Sequence, residues 1–586
     1  MKRIFSLLLT FVIILCSFAG CSSADQDSSF SVPEVAPSIS EMAIPQESQS
    51  EVIDPVIGIP GNPEGEGPYT IDILFSDSGI EKYPYTAESQ GLKAISETVL
   101  EKFNIVLTFS CLDPNTMETQ VDQLLASGEP LPDIINYRLS STKLEQAYEE
   151  GKILALNNLI KDWAPNLAAF MEKHPDIMLA NADAAGNILR IPRMVQNIQH
   201  SLFTLNIRED WLTKSGLPAP STAQEFFDTL VTFQDYDMNY SGRRDEVFQA
   251  YYIGLNRTFS NAFGVTKMSD AATSWDVDEN GVVYNTMLTK EAKDYYSFTA
   301  KMVNAGVLSL MPDLDTYNND RMANNVSGDA GPYWNAVLNT AEMSNINAAT
   351  RYIPLEPFVT NDGEQTTLIW SLEGDCGHMI TSDCDFPVAA ITLLNWSFST
   401  EGTQYIMYGE SHNHGTYWGR EPYATPEAGY FDLPHYLLTA TAQTHAAYQE
   451  DNLIWPKFGW SSTILPAYCP GNYDLIAYDY VVNYGGADAC GTAADPLFVR
   501  DILNKLENDY GVQDPYFAAP TQEQSAQWAS FAYLFSYMDN YLVSIMLGRS
   551  GFGDWDAFLA TCESLGLSQA TAIIQQRYDA ACKILG

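Results

Sequence analysis

Oxygen-bearing side chains recur at alternate positions in one short segment, Asp-Tyr-Asp-Met-Asn-Tyr-Ser-Gly-Arg-Arg-Asp-Glu, which runs from Asp235 to Glu246. Oxygen ligands spaced in this way on a tight loop are what a hard cation such as Ca²⁺ requires. A loop that starts at Asp235 ends on Glu246, but Tyr240 then occupies the position where the sharp turn needs Gly. A loop that starts at Asp237 places Gly242 there instead. Both registers stay open at this point, and an acidic solvated turn is the alternative to them.

Tryptophan side chains are the second feature with binding chemistry, because the C–H faces of sugar rings stack on flat indole rings. Six of them lie in the middle and later parts of the chain: Trp334, Trp370, Trp396, Trp418, Trp455 and Trp460. Trp334 and Trp418 lie in glycine-bearing loops, where a ring can face a cleft. Trp396 lies inside an apolar helical stretch and is predicted to be a core residue. The candidate ligand contacts are Trp334, Trp370 and Trp418.

The elements that must position these residues begin at residue 69 with an alternation of strand and helix. Strand-like stretches at 69–75, 104–110 and 131–137 are separated by helix-like stretches at 88–103 and 117–126. This βαβαβ order predicts an α/β fold with a mainly parallel sheet flanked by helices. Ligands of such sheets bind at the carboxyl ends of the strands.

The C-terminal part of the chain is predicted to be helical. The stretches 522–547, 555–565 and 568–585 have helical periodicity. Gly548 and Gly566 follow the first two of these stretches, where a glycine is a plausible C-cap. These helices extend the fold beyond its alternating part.

The charge balance excludes several classes of protein. The chain has 586 residues with 30 Lys and Arg against 74 Asp and Glu, so its formal net charge is −44. An acidic chain lacks the basic face that nucleic acids bind, so no nucleic-acid partner is expected.

The sequence contains no Gly-x-Ser-x-Gly elbow, His-Glu-x-x-His motif or P-loop, and we predict that the protein is not an enzyme.

The N-terminus indicates export from the cytoplasm. Lys2 and Arg3 precede an apolar run at 4–15, which is too short to span a bilayer and is typical of a signal peptide, predicted at 1–20. After this run, residues 18–21 read Phe-Ala-Gly-Cys, which resembles a bacterial lipobox and implies acylation of Cys21, although signal cleavage without a lipid is the alternative. The acidic segment rich in Pro and Ser at 21–68 is predicted to be a disordered tether.

Cysteine pairing is allowed outside the cytoplasm. Cys376 with Cys384, and Cys469 with Cys490, are close in sequence. A further pair would tie the last two helices, namely Cys562 with Cys582. Seven cysteines remain after Cys16 and Cys21, so at least one thiol stays free in a single chain, and the connectivity is not deducible from sequence.

Several short motifs occur in an order that is similar to that of the extracellular solute-binding proteins of bacterial ABC importers. The stretches are 127–135 (SGEPLPDII), 206–212 (NIREDWL), 216–222 (GLPAPST), 399–402 (STEG) and 553–556 (GDWD). The resemblance extends over essentially all of 69–586. The resemblance is strongest to the lipoprotein branch that includes binders of polysaccharide and alginate oligomers.

This resemblance implies a two-lobe fold of type II that closes on its solute. Lobe I is expected at 69–200 plus 375–420, and lobe II at 201–374 plus 421–586. The implied function is that of a monomeric lipid-anchored receptor, outside the cytoplasm on the cell membrane, which delivers a carbohydrate to ABC permease subunits. A neutral oligosaccharide is expected because the chain is so acidic. The alternatives are a receptor for a peptide or another solute, or a secreted carbohydrate-active enzyme.

The fold and the resemblance together suggest polar ligand contacts. Asp133 and Tyr137 are expected near the carboxyl end of the third strand, and Arg193 at the first crossover between lobes. Arg208 and Asp210 lie in one of the family's motifs, although they could equally form an ion pair that holds the loop. Alginate-binding relatives carry a shortened calcium loop. That resemblance favours the register from Asp237 and implies a structural Ca²⁺ held by Asp237, Asn239, Ser241, the carbonyl of Arg243, Asp245 and Glu246.

Overall fold

Two five-stranded sheets, each with its own apolar core, organise the chain. The computed structural model describes residues 59–76, 90–112, 114–137, 139–192, 203–311, 327–332, 352–369, 377–399, 401–402, 465, 505–506 and 509–586. The first lobe consists of the first sheet with the helices that pack on it, and the second lobe consists of the second sheet with its helices.

The first sheet contains the βαβαβ run that was predicted. Its strands are β1 (Tyr69–Ser76), β2 (Ile105–Leu112), β3 (Ile134–Tyr137), β4 (Ile191–Pro192) and β13 (Gly377–Ile380). Their order is β2-β1-β3-β13-β4. β1 runs parallel to β2 and β3, with Ile73 opposite both Phe109 and Ile134. β13 comes from a much later part of the chain and runs antiparallel to β3 and β4.

Helices cover both faces of the first sheet. They are α1 (Gln90–Phe103), α2 (Pro114–Ser127), α3 (Ser141–Glu149), α4 (Asn157–Trp163), α5 (Pro165–Lys173), α6 (Pro175–Ala180) and α11 (Pro387–Trp396). Ile73 and Phe75 face one core together with α1, α4 to α6 and α11, whereas Leu74 faces another with α2 and α3. In the middle of β1, burial on both faces explains the consecutive apolar residues Ile73, Leu74 and Phe75. Trp396 is buried in the first of these cores, as predicted.

The segment 59–68 packs on the first lobe, so the predicted tether at 21–68 extends too far. Ile59 is buried in the same core as Ile73. The carboxylate of Glu64 accepts hydrogen bonds from the N–H groups of Val388 (2.7 Å) and Ala389 (3.1 Å), in the first turn of α11. A carboxylate there satisfies amides that have no partner within the helix. The composition of the whole segment predicted disorder, whereas only two of its residues, Ile59 and Glu64, make these contacts.

The second sheet is mixed. Its strands are β5 (Phe203–Arg208), β6 (Phe248–Tyr251), β9 (Leu308–Met311), β10 (Gly328–Pro332) and β11 (Tyr352–Pro354). Their order is β11-β5-β10-β6-β9, with β6 parallel to β9 and β10, and β5 antiparallel to β10 and β11. At Gly328 a Cβ atom would lie 2.1 Å from the carbonyl oxygen of Asn206, so only glycine allows this approach of β10 to β5.

The C-terminal helices complete the core of the second lobe. The helices of this lobe are α7 (Glu209–Ser215), α8 (Ala223–Asp235), α9 (Tyr252–Phe259), α10 (Lys290–Asn304), α12 (Gln522–Ser530), α13 (Ala532–Met546), α14 (Trp555–Ser564) and α15 (Leu567–Leu585). The single helix predicted at 522–547 is in fact two, because the chain breaks at Phe531. Gly548 and Gly566 follow their helices with positive φ, which confirms the predicted C-caps.

Within the described ranges, no single helix is long and apolar enough to cross a membrane. Phe552–Ser564 and Leu567–Leu585, bent by 64° relative to each other, would pass such a test only as a pair, by length and composition alone.

Two small sheets lie outside the large ones. β7 (Trp275–Val277) and β8 (Val283–Asn285) form an antiparallel hairpin. β12 (Thr367–Ile369) and β14 (Gly511–Gln513) pair in parallel and join the segment before β13 to the segment before α12. Short 3₁₀ turns occupy Ser260–Phe263, Thr286–Leu288 and Phe552–Asp554.

Two of the suggested disulfides are not formed. Cys384, Cys562 and Cys582 are free thiols, so neither Cys376–Cys384 nor Cys562–Cys582 exists. Cys562 lies in the core of the second lobe, whereas Cys582 is exposed, so the two side chains are in different environments. The suggested pair of Cys469 and Cys490 lies outside the described residues.

Candidate functional site

A cavity of about 830 Å³ lies at the carboxyl edge of the first sheet. Tyr137, the last residue of β3, and Lys143, in the helix that follows it, line one wall. The second lobe supplies Trp275 of the β7–β8 hairpin, Phe517 of the segment before α12 and Arg577 of α15. Ligands of parallel α/β sheets bind at this edge, and a cavity of this volume accommodates a small molecule.

Ion pairs neutralise two of the cations that line the cavity. Nζ of Lys143 donates to Glu118 (3.1 Å) and to Asp122 (2.8 Å), and these hydrogen bonds raise the pKa of Lys143. Nζ of Lys267 lies 2.6 Å from Oδ1 of Asp514, and both of these side chains are largely buried. The first pair belongs to the first lobe and the second to the second lobe, so each wall carries both signs of charge.

Arg577 is oriented by two reciprocal hydrogen bonds with Ala518. Its Nε–H donates to the carbonyl oxygen of Ala518 (2.8 Å), and the N–H of Ala518 donates to the carbonyl oxygen of Arg577 (3.1 Å). Burial lowers the pKa of Arg577 to about 10. Within the described part of the chain the guanidinium forms no ion pair and no hydrogen bond apart from the one to Ala518.

Asp133 does not lie at the carboxyl end of β3, contrary to expectation. It precedes the first residue of that strand, and its carboxylate accepts a hydrogen bond from the N–H of Asp72 (2.7 Å) in β1. Burial raises its pKa, and the thiol of Cys384 is a further hydrogen-bond partner. Asp133 therefore contacts the neighbouring strand. Tyr137 is at the expected end of β3 and lines the cavity.

Arg208 and Asp210 form the ion pair that was one of their two interpretations. Nε of Arg208 lies 2.7 Å from Oδ1 of Asp210, and Nη2 lies 2.6 Å from Oδ2. Neither is among the described residues that line the cavity. The predicted ligand contacts Arg193, Trp334, Trp370 and Trp418, and the predicted lipidation site Cys21, lie outside the described residues and stay predictions.

The loop predicted to bind a cation follows α8 and is folded tightly on itself. Asp237 and Tyr240 both adopt positive φ, as does Gly242. The N–H of Gly242 donates to Oδ2 of Asp237 (2.9 Å). Asp245 accepts hydrogen bonds from the side chains of Asn239 and Ser241, both 2.8 Å, and these hydrogen bonds lower its pKa. The N–H of Arg243 donates to Oγ of Ser241 (3.1 Å).

Two carboxylate oxygens in this loop are buried without a hydrogen-bond donor. They are Oδ1 of Asp237 and Oε2 of Glu246. Burial raises the pKa of Glu246, and the negative charges of Asp245 and Asp237 add to the rise. Buried carboxylate oxygens without a partner are costly, and a cation would satisfy both. Across the described residues, no group of three or more His, Cys, Asp or Glu is placed to hold a metal, so an amide and a hydroxyl would have to complete this donor set.

Curated relatives match part of the chain. It is 26% identical over 192 residues to the fructooligosaccharide ABC transporter substrate-binding protein FusA of Streptococcus pneumoniae, covering 31% of this chain and 36% of FusA. It is 26% identical over 227 residues to lipoprotein LipO of Bacillus subtilis, covering 38% of this chain and 43% of LipO. The chain therefore matches less than half the length of either relative. No protein-family model matches it.

Solved structures match much more of the chain. An extracellular solute-binding protein from Bifidobacterium longum subsp. infantis has a TM-score of 0.60 at 17% identity, covering 88% of this chain and 98% of its own. An EF-hand mutant of FusA in complex with fructo-nystose has a TM-score of 0.56 at 16% identity, covering 88% and 99%. The alginate-binding protein AlgQ2 without calcium ion has a TM-score of 0.53 at 18% identity, with the same coverage. The chain has the fold of extracellular solute-binding proteins.

This solute-binding fold confirms the predicted resemblance and the two-lobe α/β architecture of type II. FusA, AlgQ2 and the Bifidobacterium protein are named as binding proteins, in agreement with the prediction that this chain is not an enzyme. Sequence reasoning missed Lys267, Asp514 and Arg577, which no motif marks and which the fold brings together at one cavity. Arg577 lies on an amphipathic helix, but a charged residue there usually belongs to the solvent-exposed face, so the sequence did not mark it as a binding residue.

Proposed function

We propose that this protein captures an oligosaccharide outside the cytoplasm and delivers it to the permease subunits of an ABC importer. The observation that carries the proposal is the cavity of about 830 Å³, with walls from both lobes at the edge of the sheet where α/β proteins bind ligands. Tyr137, Trp275 and Phe517 give it aromatic surface, and the paired charges give it hydrogen-bonding groups. FusA is named for the binding of fructooligosaccharides, which agrees with this class of ligand.

The mechanism follows from walls that belong to different lobes. A ligand that contacts Tyr137 and Lys143 on one side, and Phe517 and Arg577 on the other, makes its full set of contacts only when the lobes are close together. Such a ligand binds the closed state better than an open one and shifts the population toward it. We propose the lobe boundaries 69–200 plus 375–420 and 201–374 plus 421–586 for this movement, in a protein that acts as a monomer.

Charge favours a neutral ligand over a polyuronate. The chain carries a formal net charge of −44, which repels polyanions, although salt screens this repulsion beyond about 8 Å. Around the cavity the cations Lys143, Arg190, Lys267 and Arg577 are balanced by the acids Glu118, Asp122, Asp176 and Asp514, so the site has no net positive charge. A neutral oligosaccharide with many hydroxyl groups therefore suits the site better than a run of uronic acids.

The proposed location is the outer face of the cell membrane, through acylation of Cys21. The matched relative LipO is itself named a lipoprotein. Replacing Cys21 by Ser, behind a signal that is cleaved independently of lipidation, should release the protein into the soluble fraction. A released form that still sediments with membranes would contradict the anchor.

A structural Ca²⁺ in the 237–246 loop is also part of the proposal. Asp237, Asn239, Ser241, Asp245 and Glu246 would hold it, with the carbonyl of Arg243. The donor set suits a hard cation, and the two buried oxygens without donors provide the local reason for one. The names of the neighbouring structures, AlgQ2 without calcium ion and a FusA EF-hand mutant, indicate that such sites occur in proteins of this fold. The ion would stabilise the second lobe and lies in a different segment from the cavity lining.

Calorimetry with a defined ligand panel tests the function. The panel contains neutral fructan, mannan and galactan oligomers, galacturonate and alginate oligomers, and peptides. We expect at least one neutral oligosaccharide to bind, and at 100 times Kd to add about 2.7 kcal/mol to the free energy of unfolding. Tighter binding of the uronate oligomers would contradict neutrality only. Binding of peptides alone would contradict a carbohydrate receptor, and chromatographic detection of cleaved oligosaccharide would contradict a receptor altogether.

A further inference from the structure

Arg577 differs from the lysines that line the same cavity, because no carboxylate in the described part of the chain neutralises it. Lys143 is bound by Glu118 and Asp122, and Lys267 by Asp514. Arg190, which also lines the cavity, is fully buried in the first lobe and donates to Asn181 and to the carbonyl of Leu139. Arg577 therefore has no ion-pair partner of its own in the described part of the chain, although the acids around the cavity balance its charge overall.

A half-buried guanidinium without an ion-pair partner is unfavourable, because partial burial removes some of the water that solvated its charge. The protein nevertheless orients the group: Nε donates to the carbonyl oxygen of Ala518, and a backbone hydrogen bond from Ala518 to Arg577 joins the two segments. The planar group is thereby oriented, while its terminal nitrogens Nη1 and Nη2 have no hydrogen-bond acceptor among the described residues. Such a preorganised pair of donors at a cavity wall points to an acceptor that arrives with the ligand.

The charge around the cavity decides which acceptor fits. Four cationic side chains line the cavity, namely Lys143, Arg190, Lys267 and Arg577. Four carboxylates balance them: Glu118, Asp176 and Asp514 in the lining, and Asp122, which is paired with Lys143. An anionic ligand would leave this balanced cavity negative, inside a chain that is already at −44. Neighbouring hydroxyl oxygens of a sugar ring add no charge, and both can accept from the fork of a guanidinium.

We propose that Arg577 determines ligand specificity in this cavity, by donating from Nη1 and Nη2 to two neighbouring hydroxyl oxygens of a neutral sugar ring. This inference rests on the proposed oligosaccharide-binding function. Phe517 lies beside the guanidinium, with its ring centroid 6.0 Å from Cζ of Arg577, and lines the same wall. The ring and the two donors together form a flat, partly apolar and partly polar surface of the kind that suits a sugar.

Replacing Arg577 by Met removes the charge and the donors while keeping much of the side-chain volume. We expect Arg577→Met to weaken binding of the neutral fructan, mannan or galactan oligomer that binds wild type by about 10- to 100-fold. Without ligand, the same variant should melt at the same or a higher temperature than wild type, because a half-buried charge without an ion-pair partner is gone. Arg577→Lys keeps the charge but lacks the planar fork, and should bind with intermediate affinity. Arg549→Met, at an exposed position outside the cavity, is the matched control and should change neither property.

The outcomes separate this inference from the function on which it rests. If wild type binds an oligosaccharide and Arg577→Met binds it with the same affinity, the proposed role of Arg577 is overturned, whereas the proposed receptor function stands. A lower melting temperature of Arg577→Met without ligand, at unchanged affinity, would show a purely structural residue and overturn the role as well. If wild type prefers uronate oligomers and Arg577→Met loses that preference, the acceptor of Arg577 is a carboxylate, and the proposed pair of hydroxyl oxygens is overturned. If wild type binds no oligosaccharide in the panel, the proposed function fails, and this inference fails with it.

Discussion

The guanidinium of Arg208 and the carboxylate of Asp210 form a two-point ion pair at the junction of β5 and α7. Both contacts are short, at 2.7 and 2.6 Å. The side chain of Arg208 is 1% exposed and that of Asp210 is 17% exposed. The ring of Trp211 lies 4.4 Å from Cζ of Arg208 and adds a cation–π contact. The pair thus fixes a buried corner of the second lobe.

Asp210→Ala should destabilise the protein strongly, because it removes the carboxylate that contacts the buried guanidinium of Arg208 at two points. The free energy of unfolding, measured by urea denaturation, should fall by about 3–5 kcal/mol. The double replacement Arg208→Met with Asp210→Leu removes both charges and should recover most of that loss. Ligand affinity of the folded variants should stay unchanged, since neither residue is among the described lining of the cavity. A single variant as stable as wild type would contradict this view of the pair.

The parallel half of the first sheet was predictable because its information is local. Each of the strands β1 to β3 is a short stretch rich in apolar residues, and the helices between them show a helical period. The type and order of these elements therefore follow from short windows of sequence. The break at Phe531 was not predictable in this way, since neither Gly nor Pro marks it in the sequence. For Arg208 and Asp210 the spacing in the sequence allowed either an ion pair or a ligand contact. Only the three-dimensional structure, in which the two side chains contact each other and Arg208 is buried, distinguishes the two interpretations.

The cavity was not predictable, because its residues are distant in sequence. Lys267 and Asp514 meet only after the C-terminal segment returns to the second lobe. Arg577 becomes a cavity residue only because Ala518 holds it from another segment. Neither contact has a period or a motif. The cation loop, in contrast, was visible because its oxygen-bearing side chains are contiguous, although the two oxygens without donors are visible only in three dimensions.

Asp539 should make stability depend on pH. Its carboxylate accepts a hydrogen bond from the N–H of Ala271 (3.0 Å), and burial raises its pKa from 3.8 to about 7, with a contribution from the negative charge of Asp270. The folded protein therefore holds this proton more tightly than the unfolded chain. The stability that the proton contributes is fully present below pH 3.8 and is lost as pH rises to about 7.

Asp539→Asn, which does not titrate, should remove this contribution. Denaturation at several pH values from about 4 to about 8 should show the variant gaining on wild type as pH rises, up to about pH 7. Asp556→Asn, at an exposed position of α14, is the matched control and should follow wild type. If Asp539→Asn and wild type keep a constant difference across the range, the titration of Asp539 is not coupled to folding.

Glu64 should stabilise the first lobe by capping α11. Its carboxylate binds the N–H groups of Val388 and Ala389, so Glu64→Ala leaves two amides without that acceptor. We expect a loss of about 1 kcal/mol in the free energy of unfolding, measured by urea denaturation. Glu66→Ala, an exposed neighbour, should have little effect. Equal losses for the two variants would mean that the segment 59–68 contributes through general charge and not through the cap.

The 237–246 loop should make the melting temperature sensitive to chelator. A cation that binds the folded loop and not the unfolded chain raises stability with its concentration, so EDTA should lower the melting temperature of wild type and added Ca²⁺ should restore it. Asp237→Asn tolerates the positive φ of this position but removes the charge, and should abolish the response. Asp235→Asn is the control, because that carboxylate binds Arg244 (2.5 Å) and is not in the proposed ligand set.

A wild-type melting temperature that does not change with EDTA would contradict a cation held by Asp237. A response to EDTA that is undiminished in Asp237→Asn would contradict it as well. The buried oxygens of Asp237 and Glu246 would then need another partner, such as ordered water.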